Sequence, residues 1–460
     1  MSLKMIRGEG EGPLRVLIAG GGVAGLEALL ALHRLAGARV HVELLEPQSH
    51  FAYRPLAVAE PFGLAHPARI DVSDLAAAHG ARHLRDGVSS VEPERHGLHT
   101  QRGRTLRYDA LLLAVGTAAV EAVDGALTFR GPADVRAFGE LLEEVRSGDV
   151  SRVAFALHPK ARWPLPLYEL ALLSAAHTAP LSGGEVEWTL VTHESAPLEV
   201  FGDRASGLVG ELLENAGVRV MTSCVPSSAR GGPLVLESGE TIDVERVVAL
   251  PELRVPYLPG VPRGAGGFIP TDDHQRVKGL EGVFAAGDAT SFPIKQGGIA
   301  AQQADAAAAA IAALAGAEVD TRPPDLLLRA ALLTGSAPRF LRAALDDRDA
   351  TSTAGSSVLW WPPGKIAARY LAPYLAGRAG SGEPPPLDDV EARFGEEPEA
   401  AEADRGAALE LALTSADADA DWGDFEAALR WLDVAERLNV VLPRGYAEKR
   451  ERWGRSFANS

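Results

Sequence analysis

The chain has 460 residues, with 45 Lys and Arg against 62 Asp and Glu, 48 Gly, 31 Pro and a single Cys. At roughly 150 residues per domain, it is long enough for two or three domains with sizeable cores. Its formal charge of −17 argues against a nucleic-acid partner, since affinity for a phosphate backbone depends on neutralising it with basic side chains. Cys224 by itself rules out an intrachain disulfide, a redox-active thiol pair and a cysteine-based zinc site, so redox chemistry has to come from a bound cofactor. Met1 to Pro13 carries no apolar signal core, and the run Ala306 to Ala315 is too short to span a bilayer; a cytoplasmic chain is expected.

In chain order, Leu14 to Ala19 reads as a buried parallel strand, followed by Gly20-Gly21-Gly22-Val23-Ala24-Gly25 and the helical run Leu26 to Leu32. A second strand, Val40 to Leu45, ends in Glu46, about 20 residues past the glycine turn. This is the full context of a dinucleotide-binding fingerprint: strand before, helix after, acidic residue at the second strand end. Gly20 permits the tight turn, Gly22 lets a pyrophosphate approach the backbone beside Ala24, and Gly25 lets helix and strand pack closely. The helix N-terminus adds free N–H groups and a positive dipole end. Glu46 accepts from ribose hydroxyls and repels a 2′-phosphate, so this nucleotide is of the FAD or NAD type and not NADP.

Tyr108 to Thr117 is a strand running into the turn at Gly116. Four strands are expected between 141 and 264, at 153–157, 187–191, 218–220 and 246–250, spaced by helical stretches such as Ser206 to Asn215. Val283 to Ala289 is a strand ending in Gly287-Asp288, and it leads to a long alanine-rich helix from Gly298 to about Leu314. Beyond 320 the pattern turns to amphipathic helices, a Pro-rich linker at 383–386 and an acidic patch from Glu396 to Asp404.

On the glycine turn, the strand before Gly116 and the Gly287-Asp288 corner, the sequence resembles the two-dinucleotide-domain flavoproteins, the superfamily of disulfide reductases, type II NADH dehydrogenases and sulfide:quinone reductases. The resemblance implies FAD. It also implies an α/β fold of two Rossmann-like domains, the second inserted into the first, with a mainly helical C-terminal region. FAD falls to 1–140 with 265–330, the insert to 141–264, and the helical region to 331–460. Gly287 and Asp288 then hold the ribityl chain and pyrophosphate. Phe51 to Leu56 matches the segment along the flavin ring, where Tyr53 or Arg54 walls the site and Phe51 fits core packing equally well; Arg54 and Pro55 are assigned to the cofactor, together with Val88, Ala114, Gly116 and Gln296. Lys295, in a Lys-x-Gly segment, is the candidate for stabilising anionic reduced flavin near its N1–C2=O edge, the alternative being a solvated surface lysine. Tyr168-Glu169-Leu170-Ala171 matches a helix start of the NADH dehydrogenases and makes Glu169 the candidate on the N5 side. The alternative for Glu169 is a carboxylate placed by the helix dipole.

The insert departs from that pattern. After Leu157 comes His158-Pro159-Lys160-Ala161-Arg162-Trp163-Pro164-Leu165-Pro166, with three Pro and no Gly, which disarms the usual NAD cradle. Trp163 stands near where the sulfide-oxidising branch carries a redox cysteine, and Cys224 matches neither cysteine position. His158 is the one histidine near this turn. In 359–375, Ile366, Tyr370 and Tyr374 fall at helical spacing beside Trp360 and Trp361, a face for peripheral membrane docking or for core packing. Asp417 to Asp421 lacks the Gly and Glu of a calcium loop. Phe425, Ala428, Leu429, Leu432 and Ala435 mark an amphipathic helix suited to a contact within or between subunits. The sequence reading is an FAD-dependent oxidoreductase moving two electrons from a small donor to a quinone or another small acceptor. Its alternatives are an NAD(P)H dehydrogenase with atypical nicotinamide binding and a non-catalytic FAD sensor or assembly protein.

Overall fold

The computed structural model of the chain describes residues 12–65, 69–178, 186–346, 348–356, 359–360, 362–379 and 445–458, with single residues between 413 and 432. The chain divides into two compact units, Met1–Gly355 and Ser356–Ser460.

The first unit contains two five-stranded parallel sheets of closely related design. In one, the strands lie in the order Val283–Ala285, Ala110–Leu113, Leu14–Ala19, Val40–Leu45, Arg82–Leu84. In the other the order is Leu127–Thr128, Arg246–Ala249, Arg152–Leu157, Glu187–Thr192, Val218–Met221. The central strand of each, Leu14–Ala19 and Arg152–Leu157, is nearly free of polar side chains, as burial on both faces demands. Each sheet carries a three-stranded antiparallel meander, within 88–107 in the first and 226–242 in the second. Ala118–Val120 pairs antiparallel with Glu252–Arg254, so the chain enters and leaves the second sheet side by side. The four strands expected in the insert are all present.

Two helices pack on each other beside the first sheet. Val23–Ala36 packs against Gly297–Leu314, and alanine on both surfaces allows a close approach. A Cβ on Gly287 would meet Ala24 Cβ at 3.2 Å and Ala300 Cβ at 3.5 Å, which pins the Gly287-Asp288 corner into that contact.

The helical expectation beyond 331 needs correction for the segment up to 355. Leu327–Leu332, Arg339–Ala344 and Thr353–Gly355 form an antiparallel sheet. Leucine and alanine favour helix locally, but cross-strand pairing and burial of Leu328, Ala330, Leu332 and Leu341 in the core shared with helix Leu165–Thr178 override that preference. A second correction concerns 359–375. The helix there runs only over Leu371–Ala379, with Pro373 in its first turn where no N–H is needed. Ile366 is not helical, so the expected stripe is broken, and Ile366, Tyr370 and Leu371 are buried rather than presented as a docking face. Phe425, Ala428, Leu429 and Leu432 do gather, in a small core with Leu413, Ala416 and Trp453. Ala435, Trp361, the linker 383–386 and the acidic patch 396–404 lie outside the described residues. Asp417 accepts from Tyr446 Oη at 2.8 Å and Lys449 Nζ at 2.6 Å. Among the described residues, no helix is long and apolar enough to cross a membrane.

Candidate cofactor site and its counterpart in the insert

The first turn is shaped by what its glycines lack. Gly20 has φ +115°, and a Cβ there would stand 2.1 Å from Ala114 O. Its N–H donates to Leu45 O at 2.8 Å, while Ala114 N–H donates to Ala19 O at 2.8 Å. A Cβ on Gly25 would lie 1.8 Å from Gly20 O, so helix and turn touch backbone to backbone. Gly22 differs, because nothing lies within 4 Å of where its Cβ would be. It is also the N-cap of helix Val23–Ala36, without a side-chain cap bond and without an acidic residue in the first turn. The open space, bare N–H groups and positive helix end together fit a pyrophosphate.

Glu46 is tied to this turn directly. Its Oε2 accepts from Gly21 N–H at 2.6 Å and its Oε1 from Gln48 N–H at 2.8 Å. The side chain is half-buried, and each carboxylate oxygen keeps a second lone pair for a ribose hydroxyl. Gly116 lies just past the strand, and Arg54 and Pro55 open the short 3-10 turn Arg54–Leu56. Val88 starts the meander strand Val88–Glu92 and packs beside Leu84 and Leu98.

At the far corner, Gly287 N–H donates to Gln303 Oε1 at 2.8 Å, and Thr290 Oγ1 donates to Gly287 O at 2.9 Å. Gln303 and Thr290 are buried, and the sequence reading missed both; a glutamine inside an alanine run was the available signal. Asp288 keeps part of its surface accessible. Burial of its surroundings pushes the carboxyl above the ordinary carboxylate range, against the pull of Lys295 and Arg54.

Lys295 is 5% exposed, with Nζ donating to Thr290 O and Phe292 O, each at 2.5 Å, and standing 4.0 Å from the Phe268 ring centroid. Burial pulls its ammonium down to about 8; Asp288 opposes this and Arg162 reinforces it. Gln296 caps helix Gly297–Leu314, Oε1 accepting from Ile299 N–H at 2.8 Å and Nε2 donating to Arg329 O at 3.0 Å. Both ends of its amide thus serve the protein. Glu169 is 1% exposed, and its Oε1 accepts from Leu333 N–H at 2.8 Å, joining helix Leu165–Thr178 to the end of the antiparallel strand.

The equivalent turn of the insert is built differently. Lys160 N–H donates to His158 Nδ1 at 3.1 Å and Ala161 N–H to His158 O at 2.9 Å. Burial, helped by Lys160, holds the His158 imidazole below its ordinary range. Trp163 packs edge-on against Phe201 with centroids 6.0 Å apart. The acidic position after the second strand is Glu194, which the sequence reading also missed. It is 4% exposed, and its Oε2 accepts from Tyr168 Oη at 2.6 Å and Thr192 Oγ1 at 3.0 Å. Burial pushes Glu194 up to about 7, although the Tyr168 and Thr192 hydrogen bonds oppose it. Tyr168 comes from the first turns of the very helix whose N-terminus a dinucleotide requires. Cys224 lies elsewhere on the insert, half-buried beside Leu234 and Leu236, with Sγ 3.2 Å from Thr222 O.

A family model described as pyridine nucleotide-disulphide oxidoreductase matches residues 169–311, beginning just past the proline-rich turn and running through the Gly287-Asp288 corner and Lys295. An NADH dehydrogenase-like protein of Mycobacterium tuberculosis is 25% identical over 289 residues, 60% of this chain and 72% of that relative. The ferredoxin–NAD(+) reductase component of the biphenyl dioxygenase system of Paraburkholderia xenovorans is 25% identical over 301 residues, 62% of this chain and 69% of its own. Among solved structures, the sulfide:quinone oxidoreductase of Aquifex aeolicus superposes with a TM-score of 0.67 at 18% identity, covering 75% of this chain and 87% of that one. The twin parallel sheets, one inside the other, and the matched span 169–311 make the chain similar to the pyridine nucleotide-disulphide oxidoreductases.

Proposed function

We propose that the chain is an FAD-dependent oxidoreductase that takes two electrons from a small donor, other than conventionally bound NAD(P)H, and passes them to a quinone or another small acceptor. One observation carries this reading. The first nucleotide turn is open above Gly22, whereas the acidic position of the second is closed by the Tyr168 hydroxyl on Glu194.

FAD bound along the first sheet supplies the two-electron chemistry at its N5. The chain's own residues do the holding. N–H groups of the helix start at Val23 take the pyrophosphate, and Glu46 takes ribose hydroxyls. Arg54, Pro55, Val88, Ala114 and Gly116 line the course of the cofactor, Gly287 and Asp288 hold the ribityl end, and Gln296 fixes the start of the capping helix. Lys295 holds a proton on Nζ below about pH 8 and with it a positive charge that would stabilise anionic reduced flavin. Glu169 acts as a positioning residue through Leu333. The same reading gives 1–140 and 265–330 to the cofactor and 141–264 to the insert.

Anaerobic mixing with NADH, NADPH and sulfide, followed at the flavin band, tests the proposal. A yellow protein that dithionite bleaches and NADH and NADPH do not is expected; rapid bleaching by NADH overturns the exclusion and leaves the atypical nicotinamide reading. The internal commitment of Glu169 and Gln296 favours one second reading, a flavoprotein that serves as a sensor or assembly partner. Reduction by dithionite alone, across a panel of donors, selects it.

A further inference from the structure

We infer that Arg162 is the anion-recognising residue of the substrate site and that the molecule it receives carries a carboxylate; this rests on the oxidoreductase reading above. Arg162 belongs to the proline-rich turn that replaces a glycine turn in the insert. Its carbonyl accepts the Lys295 backbone N–H at 3.2 Å, which staples the turn to the segment leading into helix Gly297–Leu314. Its guanidinium is exposed, and the carbon at its centre stands 5.7 Å from the centroid of the Phe268 ring, the same ring that Lys295 Nζ approaches at 4.0 Å.

The charges around this point do not balance locally. Lys295 and Arg54 both act on Asp288, and Arg162 acts on Lys295, so two cations act on one carboxylate and a third acts on one of those cations. Elsewhere in the same unit the guanidinium groups of Arg15, Arg104, Arg130, Arg246 and Arg254 are paired with carboxylates. Among the described residues no carboxylate pairs with Arg162 or Arg54. Within the turn, Lys160 is already engaged by Glu252 at 3.7 Å, and His158 Nδ1 accepts from Lys160 N–H. Arg162 is therefore the turn's uncommitted cation. Pro159, Pro164 and Pro166 restrict the backbone on both sides of it, and Trp163 anchors the turn on Phe201, so the guanidinium is held out from a stiff loop. A guanidinium presents a planar fork of donors whose geometry matches a carboxylate through two parallel bonds.

The test is calorimetric titration of the protein as isolated, at low ionic strength, with benzoate as the carboxylate probe and inorganic sulfate and phosphate in parallel. Benzoate is expected to bind, with affinity falling as salt rises. Arg162→Ala is expected to weaken it about tenfold or more, the scale of a lost charge-assisted pair. Arg162→Lys restores only part of the loss, since it keeps the charge without the fork. Arg204→Ala, an exposed arginine on the helix Asp203–Asn215, leaves binding unchanged. Matching thermal melts show that the exposed Arg162 variant is folded. Benzoate binding that Arg162→Ala does not alter overturns the inference. So does failure of benzoate to bind the folded protein, or binding of sulfate or phosphate in its place. Arg162-dependent benzoate binding to a colourless protein sustains the anion site while the flavin reading falls.

Discussion

The two parallel sheets of this chain place a strand, a turn, a helix and an acidic residue in the same relative positions, and they use them in opposite ways. At the first turn the acid, Glu46, bonds to the backbone N–H of Gly21 and stays half-buried. At the second, Glu194 is sunk in the core and bonded to the Tyr168 side chain. A turn made of glycine leaves backbone donors bare for a ligand. A turn made of proline, tryptophan and arginine withdraws them and presents side chains instead. A repeated topology thus puts the same kind of turn at the same place twice, and the residues at each turn decide whether its backbone is open.

The comparison breaks most forcefully at Gly25. Gly25→Val forces a side chain into Gly20 O, and we expect a loss of about 3 kcal/mol or more of stability together with loss of the flavin. Denaturant melts and the absorbance of the purified variant check both. If Gly25→Val stays stable and yellow, the first turn is not the cofactor cradle.

The second half is sharpened by a pair of substitutions. Tyr168→Phe removes the short donor to Glu194 and should cost about 1–3 kcal/mol without creating NADH binding, as seen by NADH fluorescence titration. Glu194→Gln tests the sign of the linkage. Burial lifts its carboxyl in the folded state to about 7, above the ordinary 4.5, so the folded state retains a proton that the unfolded chain releases between those values. Stability from this group is therefore full below about pH 4.5 and is lost as pH rises through 7. The melting temperature of Glu194→Gln relative to wild type should rise across that window, and a flat difference would show that Glu194 ionises normally.

The smallest effect is expected at the capping helix. Gln296→Ala deletes the acceptor for Ile299 N–H and the donor to Arg329 O, worth about 1 kcal/mol by analogy with other helix caps. Urea melts measure it. A much larger loss of flavin than of stability would return Gln296 to the direct ligands.

What was legible in the sequence was contiguous. The turn from Gly20 to Gly25, Glu46 at the next strand end and the Gly287-Asp288 corner are local patterns, because a tight turn and a close helix contact each impose residue types over a few consecutive positions. The absence of glycine from 158–166 was equally plain, and so were the strands of the insert, whose apolar runs reflect burial on both faces. Segments where local preference and packing disagree were misread, as at Leu327–Leu332, where helix-forming leucine and alanine are drawn into a sheet by the partner strand Arg339–Ala344. Only the tertiary structure could join Tyr168 to Glu194, Gln303 to Gly287, Glu169 to Leu333 and Arg162 to Lys295. Each of these contacts depends on how separate elements come to face one another, and that facing is set by the packing of whole sheets and helices rather than by the residues on either side of each partner.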